Sequence, residues 1–187
     1  MTAFLFAMVA AFAAGFGARD QQLVAVLRDR LGSSGALLLV AVLCAVVAAA
    51  VAAWFGALLG ATMSRDASTM FVAIALFIAA VECGWPRRKA DPQEPTRSLG
   101  AIGIVLFARQ LTDAARFLVL AVAAAYAAPE MAALGGAVGG AASVALGWSL
   151  GEKGLAKLPL STMRHLFAAM LFLLAVTSGL TARGLIG

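Results

Sequence analysis

Two stretches interrupt the apolar runs of this chain, one in each half. The first reads Gly15-Phe16-Gly17-Ala18-Arg19-Asp20-Gln21-Gln22-Leu23. The second reads Arg109-Gln110-Leu111-Thr112-Asp113-Ala114-Ala115-Arg116-Phe117-Leu118. Ionisable residues at membrane depth are costly, so they face a partner or a water-filled cavity. Interruptions at corresponding places in two halves predict a substrate path at the interface of an inverted repeat, the pattern of a small transporter.

The surroundings of both stretches are those of a membrane protein. Hydrophobic residues make up 63% of the 187 and charged residues 12%, with a mean hydropathy of +0.98. A soluble domain averages about 45–50% apolar and about 25% charged residues. A hydrocarbon core about 30 Å thick takes roughly 20 helical residues to cross. Six stretches meet that length, near 3–30, 35–62, 69–86, 99–127, 131–152 and 161–183. The first and fourth are long because each carries a polar interruption. None shows the alternation of a barrel strand. The expected fold is an all-α polytopic membrane protein with six transmembrane helices in two inverted three-helix repeats. Residues 1–86 form the first repeat, 87–98 a linker and 99–187 the second.

Lys and Arg in short loops set the orientation. Arg28 and Arg30 follow the first span, Arg87, Arg88, Lys89 and Arg97 the third, and Lys153 and Lys157 the fifth, with Arg164 close by. The opposite side offers Arg65 and Arg183. Both termini are therefore expected outside the cytoplasm, with the polar, two-proline linker inside. No basic residue precedes Arg19, so the first span is expected to stay in the membrane and not serve as a cleaved signal. Apolar helices predict a bacterial inner (plasma) membrane. The pI near 10.0 reflects bases gathered on one membrane face, and no nucleic-acid partner is expected.

The halves carry traces of duplication. An offset of 95 residues carries Ala18 to Asp113, Gly56 to Gly151, and Ala80-Val81-x-x-Gly84 to Ala175-Val176-x-x-Gly179. An offset of 93 carries Ser68-Thr69-Met70 to Ser161-Thr162-Met163. The pairs Gly56/Gly60, Gly135/Gly139, Gly136/Gly140 and Gly147/Gly151 each place small residues on one helical face, which lets backbones approach closely. Packing within one bundle accounts for them, and a homodimer seam is the alternative.

Other reactive residues are sparse. Cys44 and Cys83 lie in apolar runs without metal or redox spacing. His165 is the single histidine. It titrates near neutrality in general but reads as an interfacial loop residue. Glu82, near Arg87 and Arg88, reads as one partner of an interfacial salt bridge. No Ser or Cys sits beside a plausible base, so no enzyme activity and no cofactor are expected.

In span length, three-plus-three layout and motif position the chain resembles the GDT1 (UPF0016) family of small membrane proteins. The segment from Gly147 to Phe167 is similar to that family's connection between fifth and sixth spans. The resemblance implies transport of a divalent cation, manganese or calcium, by antiport against protons. The family signature is Glu-x-Gly-Asp-(Lys/Arg)-(Thr/Ser), once in each half.

Laid on the first signature, the chain gives Gly15, Phe16, Gly17, Ala18, Arg19 and Asp20. Both acids are lost there, and an Asp appears two places late. On the second it gives Gln110, Leu111, Thr112, Asp113, Ala114 and Ala115. A hard dication takes several oxygen ligands, with carboxylates supplying charge. The candidate ion path is therefore Asp113, Gln110 and Asp20, supported by Arg19, Gln21, Arg109, Thr112 and Arg116. Gln110 and Asp113 are three apart, on one face of a continuous helix. Arg109 and Arg116 are each within pairing reach of Asp113. Three arginines against two aspartates leave one positive charge in excess, a poor bare cage for a dication. Three readings stay open: internal ion pairs joining the halves, a working cation site, or a changed and even anionic substrate. A non-transporting paralogue serving as a membrane partner or scaffold is the alternative to a transporter.

Overall fold

A computed structural model describes residues 1–86 and 98–186. Nearly all of the expected linker, with Arg87, Arg88, Lys89 and Arg97, falls outside the described residues. The described chain is helical throughout: α1 (Thr2–Gly15), α2 (Arg19–Leu31), α3 (Gly35–Thr62), α4 (Arg65–Gly84), α5 (Leu99–Leu111), α6 (Ala114–Tyr126), α7 (Pro129–Leu155) and α8 (Leu160–Ala182). The expected span limits and the observed helix limits agree to within a helical turn or so. The difference lies inside the first and fourth spans, where each polar interruption ends one helix and starts another.

Local backbone chemistry explains both breaks. Gly17 has φ +67, a region that glycine enters without a Cβ penalty. Ala18 follows in extended conformation and starts α2. The α1 and α2 axes meet at 58°. At the second break Asp113 is extended, with ψ 152, and sits at the N-cap of α6. Asp is a favoured residue at that position.

Small residues fix the packing. Gly56 and Gly60 of α3 lie against the α6 backbone at Leu120 and Ala124. Gly135 and Gly139 of α7 lie against the α1 backbone at Phe4 and Met8. Gly136 faces Val119 of α6, and Gly147 faces Gln21 of α2. These four glycine pairs are thus filled from inside the chain. Helices α3 and α7 pack together at the centre, and α4 packs on α8. A core of small residues, Ala7, Ala11, Ala52, Ala79 and Ala123 among them, allows this closeness.

The outer surface is apolar. Leu43, Trp54, Ile74, Phe77, Leu166 and Leu173 are among many exposed large side chains. Soluble monomers rarely expose contiguous apolar patches beyond a few hundred Å², so these are the helices of a membrane protein. Helices α3, α4, α7 and α8 are each long and apolar enough to span a bilayer, and the bent α1–α2 pair is a fifth candidate. The remaining expected span corresponds to two short apolar helices, α5 and α6.

Candidate functional site

At the first break the side chains of α2 satisfy the backbone that the break releases. The Gly17 N–H donates to Gln21 Oε1 at 2.7 Å. Gln22 Nε2 donates to the Gly17 carbonyl at 3.0 Å. Freed backbone groups at membrane depth need such internal partners. Gln21 also donates through Nε2 to the Ser143 carbonyl of α7 at 2.9 Å. The break is thereby fastened to the middle of α7. Asp20 is buried, and its Oδ1 accepts the Gln21 N–H at 2.8 Å. A carboxylate in the first turn also suits the positive end of a helix.

The second break places Gln110 and Asp113 on different helices. Gln110 lies in the last turn of α5 and directs its Nε2 to the Ala41 carbonyl of α3 at 3.5 Å. Asp113 starts α6, where its carbonyl accepts the Arg116 N–H at 3.0 Å. The expectation of one continuous helical face for these two residues fails because the helix is interrupted between them. Arg116 is 4% exposed and lays its guanidinium against Gly140 of α7. A Cβ at residue 140 would stand 3.0 Å from its Nη2. The charges of Asp20 and Asp113 both act on it. One carboxylate from each break therefore lies within electrostatic reach of the same arginine.

Glu82 and Arg164 join this layer. Glu82 Oε2 accepts the Ala114 N–H at 3.3 Å, at the N-terminus of α6. Arg164 Nη2 lies 3.6 Å from the same oxygen and donates to the Glu82 carbonyl at 3.1 Å. Its Nη1 reaches the Phe16 carbonyl at the first break, at 3.4 Å. Arg19 Nη2 lies 3.7 Å from Glu82 Oε1, with its side chain half exposed. Glu82 and Arg164 thus tie α4 and α8 to both breaks. The expected salt-bridge partners of Glu82 at 87 and 88 lie outside the described residues. Arg164 was expected beside a loop, but it is buried within α8. His165 is exposed on α8, next to Ser161, and is a helix residue instead of a loop residue.

The other expected supporting residues lie at the rim. Arg109 donates to the Arg19 carbonyl at 3.4 Å, linking the two breaks across the halves. Thr112 is exposed and returns its hydroxyl to the Ala108 carbonyl at 3.2 Å. Ser143, buried on α7, is a site residue that the sequence reading passed over. Its signal was spacing. It falls on the same face as Gly136, Gly140 and Gly147, at helical intervals.

Three atoms of the layer are buried without a hydrogen-bond partner on three different elements: Gln110 Oε1, Ser143 Oγ and Arg116 Nε. Arg116 Nη1 is a fourth. Buried polar atoms of this kind call for a ligand or water. Two crevices flank the Glu82–Arg164 pair. One, of about 360 Å³, is lined by Arg19, Glu82, Thr112 and Phe117 among others. The other, of about 170 Å³, is lined by Gln22, Cys83, Arg164 and His165 among others. Among the described residues, no three His, Cys, Asp or Glu side chains group so as to hold a metal ion. No protein-family model, curated protein or solved structure matches the chain.

Proposed function

We propose that this protein is a secondary transporter of inorganic cations, akin in layout to the divalent-cation/proton antiporters of the GDT1 family, with an altered ion site. The observation that carries this reading is the meeting of two helix breaks, one from each half, in a single buried polar layer against α7. Broken helices of this kind hold substrate sites at repeat interfaces in transporters. In this reading α1–α2 and α5–α6 each act as one broken span. The chain then has six spans, with 1–86 and 99–187 as inverted repeats. Arg28 and Arg30 share one end of the molecule with Lys153, because Asp29 accepts the Glu152 N–H at 2.9 Å. The positive-inside rule turns that end to the cytoplasm, with the linker. The termini then lie outside, in the inner membrane of a bacterium.

The Glu82–Arg164 pair favours a second reading, a sealed ion-pair core in a non-transporting partner or scaffold protein. Cysteine accessibility separates the two. In a variant with Cys44 and Cys83 replaced by Ala, a single Cys at 110 or 113 should react with a small polar thiol reagent. Added Mn²⁺, Ca²⁺ or Na⁺ should slow that reaction if the layer is a cation path. Absence of labelling at both positions in folded protein would support the sealed core instead. Cellular metal content with the protein deleted and overproduced gives the matching measurement of flux.

A further inference from the structure

The larger crevice beside Glu82, about 360 Å³, is amphipathic in a definite order. Phe77, Ile78 and Val81 of α4, with Phe117 of α6, make an apolar wall. Arg19, Glu82 and Thr112 stand at the end of the wall that Trp85 marks. Phe77 and Trp85 are eight residues apart, which is about 12 Å along a helix. Phe77, Ile78, Val81 and Trp85 are all exposed. In a membrane protein such a surface meets lipid. Tryptophan concentrates at the level of the headgroups, so the polar end of the crevice lies at the interface and its apolar wall runs into the hydrocarbon.

The polar end is basic. Arg19 pairs with Glu82 at 3.7 Å, yet its side chain is 53% exposed while that of Glu82 is 10% exposed. Glu82 also meets Arg164 and the Ala114 N–H from inside the bundle. Arg109 stands beside Arg19 and donates to its carbonyl at 3.4 Å. Among the described residues no carboxylate pairs with Arg109. Asp20 and Asp113 are buried and do not line the crevice. Two guanidiniums thus share the mouth with one inner carboxylate, and the side chain that reaches outward is the cationic one. Arginine suits phosphate oxygens in charge and in geometry, and basic pockets between membrane helices hold anionic headgroups.

We propose that this crevice binds an anionic phospholipid from the leaflet on the Trp85 side. The lipid phosphate sits against Arg19 and Arg109, and an acyl chain lies along Phe77, Ile78 and Val81. A zwitterionic lipid offers the same chain but brings its own ammonium to a basic mouth, so it binds less well. Free phosphate shares the headgroup chemistry but leaves the apolar wall uncovered. The site does not depend on the transport reading, since a protein that moves no ion can hold the same lipid.

Trp85 supplies a local readout, because Trp54→Phe with Trp148→Phe leaves it the one tryptophan of the chain. This full-length protein, delipidated in a neutral detergent, is titrated with phosphatidylglycerol or phosphatidylcholine carrying brominated acyl chains, which quench tryptophan on contact. Quenching is expected to saturate with phosphatidylglycerol at much lower concentration than with phosphatidylcholine. Arg19→Gln with Arg109→Gln should weaken the phosphatidylglycerol response roughly thirtyfold, the effect of two arginines at an anionic surface. Arg19→Lys with Arg109→Lys keeps the charge and should retain most of it. Arg65→Gln with Arg183→Gln removes the same charge elsewhere and should change nothing. If the double Gln variant folds poorly, Arg109→Gln alone keeps the Arg19–Glu82 pair and should weaken the response roughly fivefold. Millimolar inorganic phosphate should not relieve the quenching. The proposal is overturned if the two lipids quench alike, if Arg65→Gln with Arg183→Gln weakens the response as much as the crevice variants do, if the crevice variants respond as the parent does, or if inorganic phosphate displaces the lipid and so marks a site for free phosphate.

Discussion

Gly15 of α1 and Ser143 of α7 fit each other with no space to spare: a Cβ added at residue 15 would stand 2.7 Å from the Ser143 Cβ. That contact bears on the position that aligns with the first acid of the GDT1 signature. Glu at residue 15 would match the GDT1 signature that the chain resembles, yet its side chain would enter volume that Ser143 already fills. Overpacking of this kind costs about 1–3 kcal/mol or more. Gly15→Glu alone should therefore lower membrane abundance and Tm. Gly15→Glu with Ser143→Gly should recover part of both. Full abundance of the single variant would show that α1 and α7 separate more readily than their packing implies.

The pair Glu82–Arg164 makes a second prediction. Arg164 is 7% exposed and bridges α8, α4 and the first break. Removing one partner of a buried pair costs about 3–5 kcal/mol in soluble proteins, because the other charge is left uncompensated. Glu82→Gln and Arg164→Gln should each depress thermal stability clearly. The double variant should be more stable than either single one. Fluorescence-detected gel filtration after a heating series measures all three, and additive losses in the double variant would rule the pairing out.

Much of this architecture was legible in the sequence. Apolar length placed the outer limits of the six apolar stretches to within a turn or so, although two of those stretches are each a pair of helices. Polar interruptions located both breaks, since charge is tolerated at depth only where structure turns inward. What the sequence could not supply was the partner of each charge. Glu82 lies two residues from the end of α4 and read as interfacial, yet the break in the fourth span brings the Ala114 N–H to it. Arg164 read as a base close to the loop after the fifth span, near the start of the sixth apolar run. Periodicity assumes a continuous helix, and so it set Gln110 beside Asp113 when a break separates them. Ser143 carried no charge to mark it.

Topology gives the third prediction. A reporter fused after Lys89 should read cytoplasmic, and one fused after Gly187 should read external. The prediction follows from Arg28, Arg30 and Lys153 gathering at one end of the bundle, as the contact between Asp29 and Glu152 requires. A cytoplasmic C-terminus would demand an odd number of spans or the reverse orientation. Either result would dismantle the three-plus-three inverted arrangement.

The last prediction concerns Asp113, which aligns with an acid of the GDT1 signature in the resemblance described above. It is buried at the N-terminus of α6, and its charge acts on Arg116 three residues later. In a transport site, Asp113→Asn keeps the shape and removes the charge, so cation flux should collapse while membrane abundance holds. In a structural ion pair, the same substitution leaves the buried Arg116 guanidinium with Asp20 as its one remaining carboxylate of the two. The cost, about 3–5 kcal/mol by analogy with soluble proteins, should then appear as lost abundance or a lower Tm. Adding Arg116→Gln should restore stability in that case, since both charges leave together. In the transport case the added change should not restore flux. Abundance and flux measured side by side on Asp113→Asn therefore decide which role the residue has. Wild-type values of both would sink the two roles together and make Asp113 a spectator of the layer it lies in.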